Sequence, residues 1–496
     1  PWEAEHAARM AAPLGDGEYG LVERFPFPTS TPSPEAQAWF ERGMMWIWGF
    51  HHEEAIFCFR RALEHDAGFA MAHWGVAHAS GPNYNAPELN PTEGHPCHAV
   101  GVASARRARE LVAGAGAGGR TGALEAALVA AENARFEDAY DAGRLPSTNR
   151  AYCGAMARVL EAFPDEPSVV ALYVEAGMQL RPWDLWRDFA EPARAGDPEG
   201  FPGTPALLAA LRGGLGAAPR HQGLLHLFAH VVEMGPCHVL REAVPELRRL
   251  EDGHGGSGHL VHMPTHIYVQ LGMYRDTIDL NLRAAELDDA YVAARAGARE
   301  HFYTFYRAHN LHFVVYGAML AGRFSQAMEA AERTRAEVPD SLTLGDQGDF
   351  FEFFTCFPWH VLVRFGKWEE ILARPTVGDE RPLERATAAY ARGVAWAATS
   401  RVEQARLELA ELRRLMNGVV PPTRLVNPNN TALAVLGVAE ALLEGEAEYR
   451  AGNHFRALAR LREAVAREDA LAYDEPWGWM MPCRHALGAL SLEAGD

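Results

Sequence analysis

The chain has 496 residues, enough for one large core or several, and 48% apolar residues with 12 tryptophans describe a folded polypeptide. A formal charge of -19 at pH 7 argues against nonspecific binding to nucleic acid or to an anionic membrane, since both need a basic surface. No run of about 18 apolar residues predicts a membrane span, and six scattered cysteines without a CxxC pair point to reduced thiols and a cytoplasmic setting.

In chain order, residues 1–33 carry Pro26-Phe27-Pro28 and Pro32-Ser33-Pro34, which predict an extended arm ending where Ser33-Pro34 starts a helix. Residues 34–215 read as N-terminal helical repeats with insertions. Runs such as 35–48, 53–65 and 69–79 place apolar residues at three- and four-residue steps, while alternating strand-like stretches are scarce. Two insertions are expected as loops or lids: the Gly/Ala tract Ala113 to Gly119 and the proline-rich Ala190 to Arg220. Residues 216–345 form a histidine-rich repeat segment, and 346–496 a C-terminal set of helical repeats.

A recurring grammar links these segments. Trp39 to Phe50 followed by Glu53-Glu54-Ala55, Phe59 and Ala62 reads as a helix, a tight turn and a second helix. The pattern returns at Tyr268 to Asp276, at Ala318 to Phe324 with Ala327, at Tyr390 to Leu412, and at Ala447 to Ala466. A glycine before an aromatic marks several of these turns, and each pair must stack on a neighbour to cover its apolar face. This grammar resembles that of the tetratricopeptide superfamily over about half the chain. The expected fold is all-α, a tetratricopeptide-like right-handed α-solenoid of helix pairs with an extended N-terminal arm. More narrowly, Gly81-Pro82-Asn83-Tyr84-Asn85, the phrase Gly258 to Tyr268 and His309-Asn310-Leu311-His312-Phe313 resemble a bacterial group of large tetratricopeptide-like proteins with paired-histidine motifs (HxxxH, HMPxH, HNLH). That likeness implies the fold and leaves function to the residues.

Eleven of the 22 histidines lie between His221 and His312, where even scatter would put about four. Six fall in close pairs: His226/His230, His262/His266 and His309/His312. At i, i+4 or i, i+3 two imidazoles share one helix face and can chelate one ion. Glu233 continues the stripe of His226 and His230, but no glutamate sits inside the HxxxH, which disfavours an HExxH zinc protease. Pro264, between His262 and His266, predicts the first turn of a single helix. His221, His238, His254, His259 and His301 are reserve ligands; Glu233, Asp276 and Glu300 are candidate carboxylate partners for the ring N–H groups.

Six neutral nitrogen donors suit a divalent transition metal, copper first and iron or zinc after it. The aromatics Tyr268, Tyr274, Tyr291, Tyr303, Phe305, Tyr306 and Phe313 are candidate walls, with Glu233, Tyr303 and Tyr306 as candidate proton carriers in catalysis. Two polar-aromatic patches, Trp46 to His52 with Gly81 to Asn85 and Tyr473 to Trp477, read as turn chemistry and packing. The predicted function is a metal-dependent oxidoreductase that activates dioxygen on a small-molecule substrate at a histidine-ligated, dicopper-like centre. The alternatives are a tetratricopeptide scaffold that takes a protein partner in its groove, or a zinc or iron His-Glu hydrolase or oxygenase. Monomer and homodimer both fit.

Overall fold

Ser33 and Pro34 start the first helix as their chemistry predicts: the Ser33 hydroxyl accepts the Ala36 N–H, and the proline takes a first-turn position where its missing N–H is not needed. The computed structural model describes residues 20–86, 96–115, 119–136, 145–186, 201–295, 303–344, 348–427 and 429–495, so the first nineteen residues of the predicted arm lie outside the described residues. Residues 20–33 run without helix or strand. Glu23 N–H donates to the Gly255 carbonyl (2.8 Å) and Phe25 N–H to that of Glu41 (3.1 Å). Ser30 gives both its N–H and its hydroxyl to Glu125. Val22, Phe25 and Phe27 are buried.

The fold is all-α. Among the described residues the strands are Leu425–Val426 and Asn430–Thr431, a two-residue antiparallel pair, and no three-stranded sheet occurs. No helix of the described residues is long and apolar enough to cross a membrane. Two compact units divide the chain: Pro1–Ile267 with Glu286–Ala296, and Tyr268–Ala285 with Gly297–Asp496. The histidine-rich segment 216–345 contributes to both.

In the second unit the pairs are Thr304–Leu320 with Phe324–Glu337, Phe357–Arg364 with Trp368–Ala373, Pro382–Ala398 with Val402–Gly418, and Ala432–Arg450 with His454–Asp469. One turn geometry closes all four. A left-handed residue (Gly322, Gly366, Ser400, Gly452) is followed by one whose N–H reaches back five positions: Arg323 to Ala318, Lys367 to Leu362, Arg401 to Trp396 and Asn453 to Glu448, at 2.8 to 3.0 Å. These are Schellman closures, and they explain the glycine of the sequence grammar.

In the first unit the helices Pro34–Trp48, His52–His65, Ala70–Ala79, Pro96–Ala115, Gly119–Asn133, Leu145–Ala162, Pro167–Met178, Thr204–Ala217, Gln222–Val232 and Cys237–Asp252 each pack on their successor. The Phe59 ring fills a notch between Gly43 and Gly75 of the flanking helices, where a Cβ would come within 2.4 and 2.7 Å of it. Thr204–Ala217 corrects the expectation of loop from Ala190 to Arg220. Pro205 occupies the first turn and starts the helix, while Leu207, Leu208, Leu211 and Leu215 bury one face at helical spacing. Of the Gly/Ala tract, Ala113 to Ala115 complete a helix, Gly119 opens the next, and residues 116–118 lie outside the described residues.

The closure between Pro34–Trp48 and His52–His65 is the same Schellman turn, with His51 N–H on the Trp46 carbonyl at 2.9 Å. Its left-handed position is filled by Phe50, at φ 54°. A β-carbon there costs about 1 kcal/mol relative to glycine, so the side chain must return something, and its ring leads to the histidines.

Candidate metal centre

Gln222–Val232 is buried over nearly its whole length and packs on Pro34–Trp48, Pro167–Met178 and Thr204–Ala217. Gly223 permits the first of these contacts, because a Cβ would lie 2.4 Å from the Trp48 ring. His221 caps the helix: its Nδ1 accepts the Leu224 N–H at 3.1 Å, and its Nε2 lies 3.0 Å from the Ser168 hydroxyl. Of the reserve ligands, this one is a cap.

The i, i+4 pair behaves as the spacing predicts. His226 and His230 lie 4.8 Å apart, centroid to centroid. His226 Nδ1 donates to the Trp48 carbonyl at 2.6 Å, and His230 Nδ1 donates to Glu233 Oε1 at 3.0 Å. Those acceptors put the proton on Nδ1 and leave the Nε2 lone pair, the arrangement that metal-ligating imidazoles adopt. Both Nε2 atoms are buried with no hydrogen-bond partner in the protein. Burial first, and the adjacent His230 second, push His226 well below the ordinary imidazole range and keep it neutral.

His259, a reserve ligand in the sequence reading, joins them. Its ring lies 4.9 Å from His226 and 6.3 Å from His230, and one ligand nitrogen from each of the three falls within 4.8 Å of the others. It comes from the short helix Gly258–His262, three residues before His262. The expected single helix around Pro264 is corrected here: Gly258–His262 ends, Met263 and Pro264 turn, and Thr265–Gln270 begins. The break sets His262 at the end of one helix and His266 at the start of the next, with their Nε2 atoms 2.6 Å apart.

Glu233 ties the two groups together. Oε1 accepts from His230 and Oε2 from His266 Nδ1 at 2.7 Å. Burial alone would raise its pKa, but the imidazoles on both oxygens outweigh burial and hold the carboxyl below the usual carboxylate range. Both oxygens accept imidazole N–H groups, an arrangement that can orient the two rings. His230, Glu233 and His266 form a further three-donor group within 4.8 Å.

Aromatic rings cover the cluster within the first unit. Phe50 lies 4.4 Å from His226 and stacks on His230 at 5.7 Å; Tyr84 is 5.1 Å and Trp183 6.3 Å from His230. Trp183 N–H donates to the Tyr84 hydroxyl at 3.3 Å. Phe50 and Trp183 both hold left-handed backbone (φ 54° and 59°), and such strain persists where surrounding structure fixes it. The Trp46 to His52 and Gly81 to Asn85 patch, expected as packing and turn chemistry, thus supplies Trp48, Phe50 and Tyr84 to the histidines. In the Tyr473 to Trp477 patch, Asp474 accepts from Asn430.

The remaining predicted residues fall in both units. Tyr291, in the first unit, donates to Glu54 at 3.2 Å. His309 and His312 belong to Thr304–Leu320 of the second unit, 6.2 Å apart, with His312 stacked on Phe357 and its Nε2 3.1 Å from the Met480 sulfur. Tyr303 and Tyr306 are buried in that unit, 5.6 Å apart. His254 Nδ1 accepts the Gly256 N–H, and His238 is exposed. Glu300 and His301 lie outside the described residues.

The cap makes a testable acid response. Burial lowers His221 from 6.5 to about 4, so the native state keeps it neutral while the unfolded chain protonates it below about 6.5. Its stabilisation is complete above pH 6.5 and is lost as pH falls toward 4, by about 3 kcal/mol for that shift. His221→Asn retains a capping acceptor without the titration. Urea unfolding of metal-free protein between pH 7 and 4 should fall less steeply in the variant; identical slopes would discount the cap.

No protein-family model matches the chain, and no curated protein matches it. Solved structures similar to it include the human IFIT1 dimer with m7Gppp-AAAA, 11% identical over 94% of this chain and 83% of that one, TM-score 0.32. The P58(IPK) TPR domain is 12% identical over 93% and 99%, TM-score 0.23. Naa15/Naa10 bound to HypK-THB is 11% identical over 93% and 87%, TM-score 0.25. The fold assignment stands on the helices and turns of this chain, and the histidine groups can hold a metal ion.

Proposed function

We propose that the protein is a metal-dependent oxidoreductase, with one transition-metal ion on Nε2 of His226 and His230 and a ring nitrogen of His259, and a second on His262 and His266. The observation that carries this reading is the pair His226/His230, whose Nδ1 protons are committed to Trp48 and Glu233 while both Nε2 lone pairs are buried and unpaired. A buried acceptor without a partner costs about 1–3 kcal/mol, and a cation removes that cost for both at once. Three protein ligands leave a fourth position, the count typical of catalytic sites.

Neutral nitrogen donors favour copper, which stands at the top of the divalent affinity order, over iron or zinc. Bound copper supplies one-electron and dioxygen chemistry. The chain's own residues do the rest: Trp48 and Glu233 fix ring orientation, and Phe50, Tyr84 and Trp183 exclude water and offer an apolar surface to a small organic substrate. His309, His312, Tyr303 and Tyr306 remain candidate ligands and proton carriers, which metal content and turnover of single variants test.

Elemental analysis of protein purified without added metal should find copper at one to two ions per chain, with oxygen consumed when a reductant is supplied. A protein that binds neither copper, iron nor zinc after reconstitution would be a scaffold for a protein partner. Stoichiometric zinc without oxygen consumption would point to hydrolysis.

A further inference from the structure

The first unit contains a second histidine pair built on the same plan as His226 and His230. His52 opens the helix His52–His65, and its Nδ1 donates to the Ala79 carbonyl at 3.1 Å. His78, in the last turn of Ala70–Ala79, gives its Nδ1 proton to Glu132 Oε2 at 3.0 Å and stacks on Trp74 at 5.1 Å. One ring is thus tied to a carbonyl and the other to a carboxylate, as in the central pair. Both Nε2 atoms are buried and have no hydrogen-bond partner, and the His78 side chain is only 2% exposed. The rings lie 6.3 Å apart, the separation that also holds between His230 and His259.

The surrounding charge points to the kind of ligand. Glu132, Arg135 and Glu175 are all buried. Arg135 Nη1 is 3.5 Å from Glu132 Oε1, while its Nη2 donates to Gln179 at 2.9 Å and to the Pro82 carbonyl. Gln179 in turn donates to Glu175 Oε1 at 3.1 Å. Two carboxyls against one guanidinium leave a single negative charge when both ionise, and an uncompensated buried charge is costly. Desolvation raises Glu175, which favours its neutral form and lightens that charge.

Zinc would want four donors, and neither His52 nor His78 belongs to a three-donor group among the described residues. A monovalent copper ion is satisfied by two imidazole nitrogens and brings only one charge into the buried site. We propose that His52 and His78 form a Cu(I) site, separate from the central histidines. Phe50 intervenes, its ring 6.4 Å from His52 and 4.4 Å from His226. The inference does not depend on the central cluster holding metal.

The test is anaerobic Cu(I) titration of the full chain against bicinchoninate in a background with His226, His230, His259, His262 and His266 all replaced by alanine, with thermal unfolding as the folding control. One equivalent of Cu(I) should remain, and adding His52→Ala or His78→Ala should abolish it; X-ray absorption on the background variant should show two nitrogen donors and no sulfur. Zinc should not displace it. Where His78→Ala disturbs folding, His52→Ala, on a partly exposed residue, carries the same comparison. A folded background variant that binds no Cu(I), or whose Cu(I) is indifferent to both substitutions, overturns the proposal. Failure of the central site alone looks different: wild type and background variant would then bind the same single equivalent.

Discussion

Exchanging His226 for alanine is expected to weaken binding of the ion assigned to His226, His230 and His259 by roughly 100-fold, and exchanging His226 and His230 together to abolish binding of that ion. The size follows from what a ligand contributes. A complete four-ligand zinc site is worth about 10–16 kcal/mol, so one imidazole accounts for about 3 kcal/mol, or roughly two orders of magnitude in affinity. His226 is suited to the test because its position is fixed independently of any ion, by the Trp48 carbonyl at 2.6 Å and by packing against Phe50. The variant also leaves that carbonyl without its donor, at about 1–3 kcal/mol of stability, so affinity is measured by chelator competition at a temperature where unfolding curves show the variant folded. His238→Ala, at an exposed position on the next helix, should bind like wild type. Equal affinity in His226→Ala and His238→Ala would remove His226 from the ligand set.

The helical repeats were legible because their turns leave a local mark. Glycines 322, 366 and 452 each occupy the left-handed position of a Schellman closure, which few other residues fill without cost. Phe50 does not carry that mark, although it holds the same slot after Trp39 to Trp48; a bulky residue in a glycine position is the signal that it has a task. The HxxxH spacing carried His226 and His230 because one regular helix converts sequence separation into direction. It is less informative around Pro264, where two short helices replace one, and the first of them carries His259, a reserve ligand in the sequence. Tyr84 and Trp183 were beyond reach of any periodicity. Their approach to His230 depends on packing among segments some 50 to 150 residues apart, including the Arg135 and Gln179 hydrogen bonds to the Pro82 carbonyl. The prolines between Ala190 and Arg220 misled for the opposite reason, since a proline in a first turn starts a helix as readily as it ends one.

Replacing Glu233 by glutamine is expected to lower metal affinity by roughly 10- to 100-fold while the protein stays folded. The carboxylate accepts a ring N–H on each oxygen, from His230 and from His266. A glutamine presents one carbonyl oxygen and one NH2 group, so whichever way it turns, a donor meets one of those Nδ1 atoms. That imidazole can pair with the amide only by moving its proton from Nδ1 to Nε2. The proton then occupies the coordinating nitrogen, and one ligand is lost without any change in side-chain volume. Glu233→Ala should behave differently: it leaves two buried N–H groups unpaired, at about 1–3 kcal/mol each, and should reduce the urea midpoint before any metal is added. Metal competition, urea unfolding of the metal-free protein and nitrogen NMR of the imidazole tautomers separate the two effects. A Glu233→Gln variant that binds metal like wild type, with both rings still protonated on Nδ1, would show that Glu233 is structural and does not orient ligands.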